Sequence, residues 1–140
     1  MRIPYSWHLE SCEQVALRLA NLLTNRNHAV TSIIRDPSHS QDIVSVGATP
    51  KLLSLEDDPV TDFTNLFENT KADIVYFSAG AGGKGGEERT KKVDFEGAVK
   101  IFDAIEGVNA TKKPFFILVS GVDIRNPDII PAHYVSSTHL

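Results

Sequence analysis

In the first third of the chain, segments whose apolar residues have helical spacing alternate with a segment that has the pattern of a strand. Residues 12–23 carry apolar side chains at helical spacing, which predicts an amphipathic helix. Residues 28–34 are rich in β-branched side chains and predict a strand, and Asp36-Pro37 closes it because proline biases the preceding residue away from helix. Residues 40–46 predict a short helix that ends at Gly47. The predicted inward face of the first helix consists of Val15, Ala16, Leu19, Ala20, Leu22 and Leu23.

The same alternation continues through residue 120. A short strand is predicted over 51–55, a helix that starts at 57–59, and a strand over 72–77. A longer helix over 90–106 and a very apolar strand over 114–120 follow. The predicted inward residues of the two helices are Val60, Phe63 and Phe67 in one and Ala98, Ile101, Phe102 and Ile105 in the other.

Strands that alternate with helices indicate parallel βαβ units, and nearly continuous apolar strands indicate that both faces of the sheet are covered. The predicted fold class is α/β, with a three-layer, doubly wound parallel sheet of the Rossmann-like kind. We expect residues 1–140 to form one NAD(P)-binding-like domain in which residues 121–140 are a tail.

The amino terminus does not fit this pattern as well. Residues 1–8 alternate apolar and polar side chains, as a strand does, but Pro4 cannot donate a hydrogen bond to a central ladder. The first strand of such a fold is normally central. The sequence therefore predicts that residues 1–11 are irregular and that the sheet lacks its first strand.

Composition and charge exclude several classes of function. The chain has 140 residues, of which 41% are hydrophobic and 23% charged, and its net charge is -4. This charge gives no general attraction to nucleic acid, and no apolar run is long enough for a membrane helix. The single cysteine, Cys12, fits a reducing compartment, so we expect a cytoplasmic protein. The oligomeric state stays open.

A glycine-rich segment follows the strand over 72–77. It reads Ser-Ala-Gly-Ala-Gly-Gly-Lys-Gly-Gly over residues 78–86. Glycine has no Cβ and tolerates positive φ, so such a loop lets backbone N–H groups approach a ligand closely. We predict cofactor contacts from Ser78, Ala79, Gly80 and Gly82; the alternative is a flexible connector.

Charged residues follow the two neighbouring strands. Arg35 ends the strand over 28–34, where a guanidinium suits an adenosine 2′-phosphate and so favours NADP over NAD. The alternative is an ordinary surface arginine. Asp57, between Glu56 and Asp58, is a candidate contact for the adenine amino group, but a helix N-cap explains these carboxylates more simply.

Two residues near the carboxyl terminus suggest carbonyl reduction. Ser120 ends the last predicted strand and Tyr134 follows fourteen residues later. A tyrosine needs help to act as an acid at neutral pH, because its free pKa is near 10. The lysine that usually provides this help would stand four residues on, where this chain has Thr138. His133 and His139 are predicted to be tail residues, and no metal site is predicted.

Residues 15–131 resemble the atypical short-chain dehydrogenase/reductases, in the flavin-reductase-related branch that includes biliverdin reductase B. The resemblance rests on Thr-Ser-Ile-Ile-Arg-Asp-Pro at 31–37, on the glycine-loop stretch at 73–86 and on Phe-Ile-Leu-Val-Ser-Gly at 116–121. It implies a Rossmann-like fold that binds NADP, with Arg35 at the 2′-phosphate. It also implies that residues 78–80 lie along the cofactor and that Ser120 lies near the nicotinamide.

The chain departs from this family in two places. The family's Gly-x-x-Gly-x-x-Gly turn should precede Val15, but residues 8–14 contain no glycine and include Glu10 and Glu13. The chain also stops where members of the family continue into further elements that contribute to the substrate site. We therefore expect a truncated NADP-preferring reductase of flavins, quinones or similar substrates. The alternatives are a non-catalytic NADP sensor or partner-binding module, or a fragment that binds no cofactor.

Overall fold

The computed structural model describes residues 4–9, 13–80 and 86–119. The strands are β1 (Pro4–Leu9), β2 (Ala29–Ile34), β3 (Thr49–Leu52), β4 (Ile74–Phe77) and β5 (Phe115–Leu118). The helices are α1 (Glu13–Thr24), α2 (Ser40–Ser45), α3 (Val60–Thr70), α4 (Gly86–Thr90) and α5 (Gly97–Gly107). A 3-10 turn at Pro37–His39 precedes α2, and a π-helical segment at Lys91–Glu96 joins α4 to α5.

The described strands form one parallel sheet in the order β3-β2-β1-β4-β5. The chain runs outward from β1 to β3 and then crosses to the other side of β1, where β4 and β5 follow. This is the strand order of a doubly wound sheet. The order in which the chain visits the strands reverses between β1 and β4, although all the strands stay parallel. The predicted fold class is confirmed.

The prediction that the first strand is missing is wrong. Residues 4–9 form the central strand β1, which pairs with β2 on one side and with β4 on the other. Pro4 is accommodated because it is the first residue of β1, opposite Ala29, while the pairing with β4 begins only at Tyr5. Its missing N–H therefore falls at the end of the ladder, where proline is tolerated.

Helices α1 and α2 cover one face of the sheet. Small residues of α1, Ala16 and Ala20, are almost fully buried there and let the helix lie close to β2. Val15 and Leu22, which the periodicity placed on the inward face, are about half exposed. The buried stripe of α1 is therefore narrower than predicted. The buried residues of this face are Ala16, Ala20, Leu23, Val30, Ile34, Ile43 and Ala48.

Helices α3 and α5 cover the opposite face. Phe63 and Phe67 of α3 are fully buried, as predicted, and pack with Phe77 of β4 and Ile101 of α5 in one cluster. This cluster also contains Leu53 and Leu55, which follow β3, so it joins the turn after β3 to the helix layer.

The region predicted as one helix over 90–106 consists instead of α4, the π-helical segment and α5. Within α5 the buried residues are Gly97, Ile101, Ala104 and Ile105. Phe102, predicted to face inward, lies beside this stripe and is 47% exposed, although its ring contacts Phe116 at a centroid distance of 4.4 Å.

Strand β5 is less covered than its apolar sequence predicted. Phe115 is 66% exposed and Leu118 is 50% exposed. Within the described residues β5 is the edge of the sheet, since it pairs only with β4. Among those residues, no helix is both long and apolar enough to cross a bilayer.

Candidate functional site

The carboxyl ends of the central strands meet at one edge of the sheet. Arg35 follows the last residue of β2, and Ser78 follows the last residue of β4. Strand β1 lies between them, with Leu9 opposite Ile34 and His8 opposite Phe77. Because the strands are parallel, Arg35 and Ser78 flank the point where the strand order reverses. Ligands of open α/β sheets bind in the crevice at this point.

The first part of the glycine loop is anchored in the core. Ser78 is buried, with 4% of its surface exposed, and Ala79 packs against the α3/α5 side of the core. Beyond it, the half-buried Gly80 leads away from β4. The N–H of Val119 donates to the Phe77 carbonyl at 2.9 Å, so β5 supports the strand end from which the loop leaves.

Arg35 makes an ion pair across the edge of the sheet. Its Nη1 lies 2.8 Å from Oε2 of Glu56, and Nη2 of Arg89 lies 3.7 Å from the same oxygen. Glu56 follows β3, and Arg89 lies on α4 beyond the glycine loop. Two guanidinium groups and one carboxylate therefore meet beside the crevice.

The turn that carries Glu56 is held by Ser54. The Ser54 N–H donates to Asp58 Oδ2 at 2.6 Å, and the Ser54 hydroxyl donates to Asp57 Oδ2 at 2.8 Å. The prediction that these carboxylates cap α3 is wrong. The N-cap of α3 is Pro59, which makes no side-chain cap hydrogen bond. The carboxylates instead close the turn behind β3, and this fixes the backbone at Glu56.

Lys100 of α5 ties this turn to the helix layer. Its half-buried Nζ donates to the carbonyl oxygens of Leu55 and Asp58, the latter at 2.7 Å. A lysine has three donors and no acceptor, so two carbonyls suit it well. The turn is therefore fixed from both sides, by Ser54 within it and by Lys100 beneath it.

Asp36 fixes the chain directly after Arg35. Its Oδ1 accepts a hydrogen bond from the Ser38 N–H at 2.8 Å and caps the 3-10 turn. This bond to the backbone lowers the pKa of the Asp36 carboxyl below its ordinary value. The turn therefore starts directly after Asp36, and this fixes the backbone next to Arg35.

A separate cleft of about 560 Å³ lies at the amino ends of β2 and β3, between residues such as Asn27, His28 and Gly47. This is the opposite edge of the sheet from Arg35 and Ser78. It has no part in the crevice at the carboxyl edge. In the described portion of the chain, no three His, Cys, Asp or Glu side chains are grouped so as to hold a metal.

The structure brings most of the predicted cofactor contacts to one edge: Arg35, Asp57, Ser78, Ala79 and Gly80. Gly82, Ser120 and Tyr134 lie outside the described residues. The sequence reasoning missed Arg89. Its partner Glu56 is distant in sequence, so only the packing of α4 against the turn after β3 reveals the contact.

A family model described as NAD(P)H-binding matches residues 14–137. The chain belongs to this NAD(P)H-binding family. Membership agrees with the doubly wound sheet and confirms the resemblance to the atypical short-chain dehydrogenase/reductases. The family assignment covers both sides of the crevice, from α1 to beyond β5.

Two curated proteins are similar to most of this chain. UPF0659 protein C216.03 of Schizosaccharomyces pombe is 34% identical over 91% of this chain. The uncharacterized sugar epimerase YhfK of Bacillus subtilis is 30% identical over 81% of it. The chain covers 50% of each, so it spans about half the length of these relatives.

Solved structures agree with the NAD(P)H-binding fold. A Bacillus halodurans protein assigned to the NAD-dependent epimerase/dehydratases matches 92% of this chain with a TM-score of 0.73 and 27% identity, over 56% of its own length. A UDP-glucose-4-epimerase from Stenotrophomonas maltophila, solved with bound NAD, matches 86% of the chain and 38% of its own with a TM-score of 0.68. At 12% identity this second likeness shows the fold alone.

Proposed function

We propose that the chain binds NADP at the carboxyl edge of the sheet and that the protein is an NADPH-dependent oxidoreductase. The observation that carries this proposal is the placement of Arg35 and the loop over 78–80 on the two sides of the strand reversal. A guanidinium at the end of β2 favours a cofactor with a 2′-phosphate. A glycine-containing loop at the end of β4 suits the rest of the dinucleotide.

The residues have separate proposed roles. Arg35 binds the 2′-phosphate, and Asp57 contacts the adenine amino group. The backbone of residues 78–80 and of Gly82 lies along the cofactor. Arg35 pairs with the Glu56 carboxylate, and a guanidinium binds phosphate with the same planar set of donors, which supports the role proposed for Arg35.

Ser120 and Tyr134 are the proposed catalytic residues. Bound NADPH would supply a hydride, and the protein's task is to orient the substrate and deliver a proton. In this assignment the Tyr134 hydroxyl gives the proton and Ser120 holds the accepting oxygen. The proposed substrates are flavins, quinones or similar acceptors, and the proposed location is the cytoplasm.

Calorimetric titration with NADPH tests the binding proposal. We expect the wild-type chain to bind NADPH and Arg35→Gln to bind it at least tenfold more weakly, because a charge-assisted bond to phosphate is lost. Arg26→Gln is the matched control, since Arg26 is exposed in the turn between α1 and β2, away from the carboxyl edge. No heat at millimolar NADPH would end the proposal.

A second candidate is a non-catalytic NADP sensor or partner-binding module. Thr138 favours it, because it replaces the lysine expected four residues after Tyr134. Binding of NADPH without reduction of FMN or a quinone would support this candidate. YhfK carries the name sugar epimerase and the Bacillus halodurans structure the name epimerase/dehydratase, so a sugar-epimerase assay belongs beside the reductase assay. Sugar interconversion without net consumption of NADPH would replace the reductase assignment.

A further inference from the structure

The Glu56 carboxylate occupies a position between two arginines from distant parts of the chain. Arg35 leaves the end of β2 and Arg89 lies on α4, and both approach Oε2 of Glu56 within 4 Å. The side chain of Glu56 is only 18% exposed, whereas those of Arg35 and Arg89 are 40% and 28% exposed. The anion is thus the most enclosed member of the group, and both cations remain accessible from solvent.

Two guanidinium groups this close together repel each other unless an anion lies between them. Their planar N–H donors fit a phosphate as well as a carboxylate. A phosphate monoester carries about -1.5 to -2 charges at neutral pH, against one for a carboxylate. Exchange of the Glu56 carboxylate for a phosphate therefore puts more negative charge between the two guanidinium groups and strengthens their attraction to the anion.

We propose that Arg89 is a second guanidinium ligand of the adenosine 2′-phosphate and that Glu56 is its internal competitor. This inference rests on the proposed function, because it places the 2′-phosphate at Arg35. NADP displaces the Glu56 carboxylate from the two arginines. NAD has no phosphate to offer them and leaves the ion pairs in place. Glu56 and Arg89 together set how strongly the site prefers NADP.

The experiment compares NADP with NAD, and 2′,5′-ADP with 5′-AMP, by calorimetric titration of four variants of the full chain. We expect Arg89→Gln to weaken NADP and 2′,5′-ADP about tenfold and to leave NAD and 5′-AMP within about twofold. We expect Glu56→Gln to strengthen NADP and 2′,5′-ADP, because the competing charge is gone while the side-chain shape is kept.

Matched controls separate these contacts from general charge effects. Glu87→Gln removes an exposed negative charge from the same short helix as Arg89, and Arg26→Gln removes a positive charge at the other edge of the sheet. We expect both controls to leave the ratio of NADP to NAD affinity unchanged. Far-UV circular dichroism verifies that each variant is folded.

Three results would overturn the inference. An unchanged NADP-to-NAD ratio in Arg89→Gln removes the second ligand. Weaker NAD binding in Glu56→Gln means that this carboxylate holds the ribose and is no competitor. Failure of the wild-type chain to bind either dinucleotide ends the proposed function and this inference together, whereas the first two results leave NADP binding at Arg35 intact.

Discussion

Replacement of Lys100 by methionine should destabilise the protein through the turn that carries Glu56. Methionine keeps the length and packing of the lysine stem but removes the ammonium that donates to the Leu55 and Asp58 carbonyls. Each hydrogen bond to a charged group contributes about 1.5–3 kcal/mol, and the lower cost of burying a neutral side chain offsets part of the loss. We expect the free energy of unfolding to fall by about 2–3 kcal/mol.

Lys113 offers a matched control. Its Nζ also makes two hydrogen bonds, to the backbone carbonyl and the carboxylate of Glu106, but both partners are exposed. Exposed ion pairs contribute at most about 1 kcal/mol, so Lys113→Met should lower the free energy of unfolding by less than that. Urea unfolding measures both variants. With a slope of about 1–3 kcal/mol per molar urea, Lys100→Met should lower the midpoint by roughly 1 M or more. Equal midpoint changes in the two variants would refute the role given to Lys100.

Three further substitutions, two of them paired with a control variant, test the packing by urea unfolding. Phe63→Ala should lower the free energy of unfolding by about 3–5 kcal/mol because Phe63 is fully buried. Phe95→Ala, at a 63% exposed position, should lower it by less than about 1 kcal/mol. Gly47 has a φ of +80°, so Gly47→Ala should cost about 1–2 kcal/mol and Gly47→Asn less. A Cβ on Gly97 would lie 2.9 Å from Cδ1 of the buried Leu55, so Gly97→Ala should destabilise despite the better helix propensity of alanine. A stabilised Gly97→Ala protein, or equal losses within either pair, would contradict the packing described.

Much of the fold follows from local sequence patterns. The β-branched run before Arg35 and the apolar run before Ser78 predict two strands, and the parallel alternation places both carboxyl ends at one edge. The placement of Arg35 and Ser78 at the same edge of the sheet was therefore predictable from strands and loops alone. The exact contacts at this edge were not, because the contact of Glu56 with Arg89 depends on how α4 packs against the turn after β3.

The failures of the sequence reasoning have specific physical causes. Pro4 argued against a central strand, but a proline at the first position of a strand removes no bond from the middle of the ladder. Asp57 and Asp58 looked like helix caps because they precede α3, yet Ser54 offers them nearer donors. Phe102 is apolar and next to the buried Ile101, but the buried stripe of α5 continues through Ala104 and Ile105 and leaves Phe102 at its margin.

The proposed NADP site lies at the carboxyl edge of the sheet, between Arg35 and the loop over 78–80. Amide chemical shifts from a ¹⁵N-labelled chain titrated with NADP test it most directly, because they report position as well as binding. We expect large changes at Arg35, Asp36 and Ser38 and at residues 78–80, and none at Asn27 and Gly47 in the cleft of the opposite edge. Changes confined to that opposite cleft would contradict it.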